Sequence, residues 1–331
     1  MRLAAQIRIA SVAGLLTFAA GIATATAQTW PSRYLTMVVP FGAGSASDTV
    51  GRILAARLSE VLGQQMIVEN VVGGGGMVGV SRVAKAAPDG YQVVLGAVDT
   101  FAQSQYLFKK PVINPLADFV PAGLVVEQSL VLVVRKDLPV NNVREFADYV
   151  KANQGKMTFG SAGVGAGPYL ACAMVTAAIG ATSVTHVPYR SSAPALQDLV
   201  AGTIDYYCPI SVAAMPLIAA KSAKVLAVLT RERSPLFPDL PTAAEQGLDM
   251  VDGYYWMALF LPKNTPEPVV ATLNKAIGAT LDTPAVQARL KDIATAPAPA
   301  GKRSTAFLQK YVETETVKWA GIMRAAAVPQ Q

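Results

Sequence analysis

Two strand-to-helix turns rich in glycine and serine constrain this chain more than any other feature. The first reads Met37-Val38-Val39-Pro40-Phe41-Gly42-Ala43-Gly44-Ser45-Ala46-Ser47-Asp48. The second reads Met157-Thr158-Phe159-Gly160-Ser161-Ala162-Gly163-Val164-Gly165-Ala166-Gly167-Pro168. In each, an apolar β-type run stops in small residues and re-enters an apolar helical period. A helix that begins this way presents backbone N–H groups without partners, and its dipole adds partial positive charge, so the turn favours an anion. Two such turns can close on one carboxylate from opposite sides.

The rest of the chain repeats the alternation. Apolar, β-branched runs occur at residues 36–40, 66–71, 92–97, 130–135, 157–160, 184–188, 204–207, 225–230 and 255–261. Helical periods lie between them: Val50, Leu54, Leu58 and Val61; Val269, Leu273, Ile277 and Leu281; and Leu308, Val312, Trp319 and Ile322 within residues 305–325. Alternating strands and helices with short loops predict an α/β fold with parallel-rich sheets flanked by helices. Residues 130–139 and 258–266 share a plan: apolar strand, charged turn with proline, then a helix from about Val143 and Glu267. They are expected to mark the crossings between two lobes, one of residues 30–129 plus 255–331 and one of residues 130–254.

Residues 1–27 read as a signal peptide. Arg2 and Arg8 precede an apolar stretch from Ile9 to Ile22, and Ala25-Thr26-Ala27 offers a small-residue cleavage site. Export to a bacterial periplasm follows as an expectation. The formal charge of +6 drops to +4 without the leader, because Arg2 and Arg8 leave and no acid does. There is no basic run interleaved with aromatics, so nucleic acid is not an expected partner. One histidine, His186, and two cysteines, Cys172 and Cys208, offer no ligand spacing for a metal. In an oxidising compartment the even cysteine count favours one disulfide, with two buried thiols as the alternative. No cofactor is expected.

Two motifs suggest enzymes. Gly74-Gly75-Gly76-Met77-Val78-Gly79 fits the dinucleotide pattern, with Asp99 at the end of the next strand. An exported chain has little access to nicotinamide cofactors, and the better anion turn precedes this one. Ser161, between Gly160 and Gly163, resembles a nucleophile elbow, yet Phe159 stands where that motif has its first glycine. An exported serine hydrolase using Ser161, with His186 as base, is the alternative function.

An ordered series of short stretches completes the picture: Pro40–Asp48; Glu69-Asn70 with Gly73–Gly79; Ala87-Pro88-Asp89-Gly90-Tyr91; Phe159–Gly167; His186-Val187-Pro188-Tyr189-Arg190; Ala193–Asp198; Ala201-Gly202-Thr203-Ile204-Asp205; and Arg233-Ser234-Pro235 with Leu240-Pro241-Thr242. This series resembles the substrate-binding receptors of tripartite tricarboxylate transporters, the Bug receptor family, along essentially all of the chain beyond residue 27. The resemblance implies a two-lobed periplasmic binding protein of the second structural type. It also implies a small carboxylate (a di- or tricarboxylate, an aromatic acid or an amino acid) held between lobes and passed to membrane transporter subunits or reported to a sensor kinase. A monomer without catalytic activity is expected.

Carried onto this chain, the two turns become pincers on a ligand carboxylate. Phe41, Gly42, Ala43, Gly44, Ser45, Ala46, Ser47 and Asp48 form one, and Ser161, Ala162, Gly163, Val164, Gly165 and Ala166 the other. Asp99, Thr100, Arg190 and Asp205 are further ligand-binding candidates, Asp99 the sharpest for specificity because it ends a strand on the same rim. Asp48 has two roles open, anchoring the first helical turn or meeting the ligand. Ser191-Ser192 stands where the family often has glycine, and helix capping is its expected role. Tyr254, Tyr255 and Trp256 wall either the cleft or the core.

Overall fold

The computed structural model describes residues 30–234, 237–249, 254–325 and 330, so the expected signal peptide lies outside the described residues. The chain opens with β1 (Leu35–Val39), α1 (Ala46–Leu62), β2 (Met66–Asn70), α2 (Met77–Ala84), β3 (Gln92–Ala97) and β4 (Phe119–Ser129). It continues through β5 (Val131–Arg135), α3 (Val143–Asn153), β6 (Thr158–Ser161), α4 (Gly167–Ile179), β7 (Thr185–Pro188), α5 (Ser192–Ala201), β8 (Tyr206–Tyr207), α6 (Ser211–Ala220) and β9 (Ala223–Val228). β10 (Tyr254–Pro262), α7 (Glu267–Leu281), α8 (Pro284–Asp292), β11 (Ala296–Pro297) and α9 (Thr305–Ala325) follow.

These strands form two sheets. One has the order β11-β4-β10-β3-β1-β2 and the other β7-β6-β8-β5-β9. With helices packed against them, they make a two-lobed α/β fold. Each sheet is mixed, which corrects the parallel-rich expectation. β1 pairs parallel with β2 and β3, and β6 with β7 and β8, as successive β-α-β units require. The long strands nearest the crossings run the other way: β10 is antiparallel to β3 and β4, and β5 to β8 and β9. β4 and β5 are separated by one residue, Leu130, yet belong to different sheets.

The predicted stripes face inward. Val50, Leu54 and Leu58 of α1, Leu273, Ile277 and Leu281 of α7, and Leu308, Val312 and Trp319 of α9 are buried. Each large side chain so placed contributes about 1.5–3 kcal/mol of transfer free energy. Phe101 stacks on Phe260 at 3.7 Å between ring centroids, with Phe119 edge-on to Phe101 at 4.9 Å, which locks the end of β3 onto β10 and β4. Trp256 of β10 and Trp319 of α9 both donate to the buried carboxylate of Glu315, at 3.3 and 3.2 Å. Cys172 on α4 and Cys208, just past β8, are joined in a disulfide with their Cα atoms 5.4 Å apart. No helix among the described residues is long and apolar enough to cross a membrane.

Candidate ligand-binding site

The first turn is built from within its own lobe. Ser45 caps α1, its hydroxyl accepting from the Asp48 N–H at 3.2 Å. Asp48 in turn accepts from the Gly44 N–H at 3.0 Å, from Arg52 Nε at 3.1 Å and from Asn70 Nδ2 at 3.0 Å. Asn70 also donates to the Phe41 carbonyl at 2.8 Å. Burial pushes the Asp48 carboxyl up, but the hydrogen bonds from Arg52, Gly44 and Asn70 outweigh it and leave its pKa below the ordinary value. Asp48 therefore anchors the turn, and its oxygens are committed to the chain's own groups.

The second turn is capped from elsewhere. Ala166, at the N-cap of α4, has no side chain to accept from the helix. The missing acceptor is Asp99, at the end of β3, whose Oδ2 takes the Gly167 N–H at 3.1 Å and the Tyr255 hydroxyl at 2.7 Å. Asp99 begins a single π-helical turn, Asp99–Gln103, and its other oxygen accepts from the Thr100 N–H at 2.7 Å. Burial raises its pKa to about 6 against the opposing pull of those hydrogen bonds. Gly167 is required here: a Cβ on it would lie 2.6 Å from the Tyr255 ring.

Between the turns lies a cleft. Its floor is a space of about 10 Å³ bounded by Phe41, Ser45–Ser47, Asp99, Ala162, Ala166, Ser192 and Tyr255 among others. Its mouth is a cavity of about 450 Å³ bounded by Pro40, Phe41, Val72, Gly73–Gly76, Ala162, Gly163, Tyr189 and Arg190. Phe41 and Ala162 line both and pack together with Ala166 across the gap.

Several expected site residues sit elsewhere. The Asp205 carboxylate accepts from the N–H and hydroxyl of Thr158 at 2.8 and 3.2 Å and from Arg135 Nε at 2.9 Å. Thr158 starts β6, and the second turn leaves its other end, so Asp205 serves the sheet and not the cleft. The Thr100 hydroxyl is spent on the backbone of Ala97. Val164 and Gly165 pack on the first lobe: a Cβ on Gly75 would meet the Val164 carbonyl at 2.5 Å, and one on Gly165 would meet Phe108 at 3.1 Å. Ala43 and Gly44 are exposed, and the site of a Cβ on Gly42 lies 3.1 Å from the Ser191 side chain. Ser191 makes no capping hydrogen bond, and Ser192 bonds the Tyr207 hydroxyl at 2.9 Å, so capping is not their role. Tyr255 and Trp256 are buried, Tyr255 at the cleft floor and Trp256 in the core, while Tyr254 is exposed.

One wall lies outside the ligand-binding residues expected from the sequence. The glycine run that fits a dinucleotide pattern borders the cleft mouth, with its backbone against the second turn. The signal was available in the four consecutive glycines Gly73–Gly76, which permit backbone-to-backbone approach whatever the ligand.

Residues 50–328 match the model of the tripartite tricarboxylate transporter family receptor. The chain belongs to this family. Among solved structures, the periplasmic binding protein BugD is 36% identical with a TM-score of 0.87, covering 91% of this chain and 100% of BugD. MatC from Rhodopseudomonas palustris, with bound malate, is 36% identical with a TM-score of 0.86, covering 88% and 99%. An R. palustris protein with adipate is 31% identical with a TM-score of 0.86, covering 91% and 100%. This is a family of periplasmic solute-binding receptors, and that reading prevails over the hydrolase alternative.

The receptor does hold Ser161 Oγ 2.6 Å from His186 Nε2. Ser161 is wholly buried, also accepts from the Gly163 N–H at 3.0 Å, and no acid among the described residues hydrogen-bonds the imidazole. Burial lowers the His186 pKa. The pair ties the start of the second turn to β7, with His186 stacked on Phe159 at 4.9 Å.

Proposed function

We propose that this receptor captures a small carboxylate in the cleft between the two turns and delivers it to membrane transporter subunits. The observation that carries the reading is the cleft mouth, where Arg190 is the only charged side chain among the described residues of the lining. The start of α1 adds N–H groups at Ala46 and Ser47, which the helix itself leaves without partners. Malate in MatC and adipate in the R. palustris relative support a carboxylate ligand. The ligand-binding set is Phe41, Ser45, Ala46, Ser47, Ala162, Gly163, Ala166 and Arg190. Gly42–Gly44, Asp48, Val164 and Gly165 shape the turns.

The same reading assigns residues 1–27 to a signal peptide, the mature chain to the periplasm as a monomer, residues 30–129 plus 255–331 to one lobe and residues 130–254 to the other. It assigns no catalysis to Ser161, so Ser161→Ala removes no esterase activity. Ligand binding shifts an open–closed equilibrium towards closure. Isothermal titration with malate, succinate and adipate tests it, with thermal unfolding in parallel. Saturable binding and a rise in Tm that grows with ligand concentration are expected. A folded protein that neither releases heat nor gains stability with any carboxylate overturns the reading.

A further inference from the structure

Helix α2 is apolar on two sides. Val80 and Val83 are wholly buried, the stripe that a surface helix turns to its core. Met77, Val78, Ser81, Arg82 and Lys85 recur at threes and fours on another face, where Val78 is 53% exposed. Residues 108–112 border that face with Phe108, Lys110 and Val112, the last 59% exposed. Together they bound a groove of about 520 Å³, larger than the cleft mouth and outside the ligand-binding set. Exposed apolar surface rimmed by polar groups marks an interaction site.

The rim carries one sign of charge. Arg82, Lys85 and Lys110 line the groove, and no acid does among its described residues. Arg82 is already neutralised, donating to both oxygens of Glu69 at 2.5 and 2.8 Å. Lys85 and Lys110 are exposed and have no ion pair or hydrogen bond among the described residues. Two unpaired cations over an apolar base complement an occupant with apolar side chains at its centre and acids at its edge. Position narrows the choice further. Gly74 lines both this groove and the cleft mouth. Phe108 reaches the second turn, where a Cβ on Gly165 would stand 3.1 Å from its ring. Whatever sits in the groove lies beside the opening through which cargo leaves.

Resting on the reading of this chain as a receptor that delivers to a transporter, we propose that the α2 groove docks an acidic, amphipathic segment of the membrane subunits. The apolar side of that segment lies on Met77, Val78, Phe108 and Val112, as an amphipathic helix lies in a hydrophobic groove. Its carboxylates meet Lys85 and Lys110. The lysines steer the encounter and fix its orientation, while the apolar contact holds the complex. Docked there, the membrane subunits stand next to the cleft mouth without entering it.

The test measures binding of the full chain to nanodiscs that carry the membrane subunits of a tripartite tricarboxylate transporter from the same organism. Empty nanodiscs of phosphatidylglycerol serve as the lipid control. Saturable binding to the loaded discs is expected, weakening as salt is added. Lys85→Glu combined with Lys110→Glu should reduce affinity by about tenfold or more, since acids then face acids. Val78→Asp should do the same, and its exposed position lets the chain fold. Lys275→Glu, an exposed reversal on α7, should change nothing. Calorimetry with malate and adipate should give the same result for every variant as for the wild type, because none of these residues lines the cleft. Groove variants that bind the loaded discs as the wild type does overturn the inference, as does an equal loss from Lys275→Glu. Equal binding to empty discs assigns the groove to lipid and overturns it too. So does a dimer in sedimentation that Val78→Asp dissolves, which assigns the groove to a second copy of the chain. A wild type that binds carboxylate but no loaded disc overturns the delivery reading together with this one, and leaves carboxylate capture standing.

Discussion

The two turns look alike in sequence and are held in opposite ways. The first is scaffolded by its own lobe: Ser45 caps its helix, and Asp48 gathers Gly44, Arg52 and Asn70. The second has alanine at its N-cap and borrows its acceptor from Asp99, just past the end of β3 in the other sheet. The first jaw thus takes its cap from its own lobe, while the helix behind the second takes its cap from the other, although the start of that turn is tied to β7 through Ser161 and His186. A binding protein with one self-capped jaw and one cross-capped jaw links the order of the second jaw to the approach of the two lobes.

The largest expected effect falls on the borrowed cap. Asp99 has a pKa of about 6 in the folded chain against an ordinary 3.8. An acid whose folded pKa is raised binds more proton in the native state than in the unfolded one between those values. Stability is therefore highest below about pH 4 for this group and falls as pH rises through 6, by about 3 kcal/mol in all. Asp99→Asn keeps an acceptor for Gly167 or Tyr255 and removes the charge. Urea unfolding of both proteins from pH 4 to pH 8 should show the wild type losing stability relative to the variant as pH rises. Parallel curves would mean that the second jaw is not capped by a desolvated carboxylate.

A smaller loss is expected at the self-scaffolded jaw. Asp48→Ala strips the Gly44 N–H, Asn70 and Arg52 of their shared acceptor, at a cost of about 2 kcal/mol for hydrogen bonds to a charged group, discounted because Arg52 is half in solvent. Denaturant titration at pH 7 should register that loss together with weaker ligand binding, since the turn that presents the start of α1 loosens. If stability falls and affinity holds, the first jaw does not depend on Asp48 for its shape.

Much of the layout was legible in the chain. Residues 37–48 and 157–168 are strand–turn–helix units, and the buried stripes of α1, α7 and α9 follow the predicted periods. What escaped has physical reasons. β4, eleven residues long, contains Pro121 and Gly123, which read as breakers, and it is a strand because β10 and β11 pair with its two edges. Asp99 lines the cleft floor, but its partners are 68 and 156 residues away in sequence, so its capping role had no local signature. Asp205 sits in a stretch shared with the family and points to the start of β6, because a strand offers two ends and sequence alone does not say which one a neighbouring carboxylate meets.

The finest test addresses the meeting point itself. Gly75 faces the second turn so closely that a Cβ would stand 2.5 Å from the Val164 carbonyl and 3.0 Å from the Gly165 Cα, both rigid backbone. Its φ of +62° adds a modest cost for any side chain. Gly75→Ala therefore acts as a wedge between the jaws. Both lobes remain intact, because no core residue is touched and the glycine run lies at the cleft mouth. The wedge leaves the first jaw, held by Asp48 and Ser45, unchanged, and denies the second its closed position. A fall in ligand affinity of about tenfold is expected, equivalent to roughly 1.4 kcal/mol. Small-angle scattering should show that saturating ligand no longer compacts the variant as it does the wild type. Undiminished affinity with normal compaction would instead make the second turn compliant, able to yield around a methyl group, and would place the rigidity of the site in the first jaw alone.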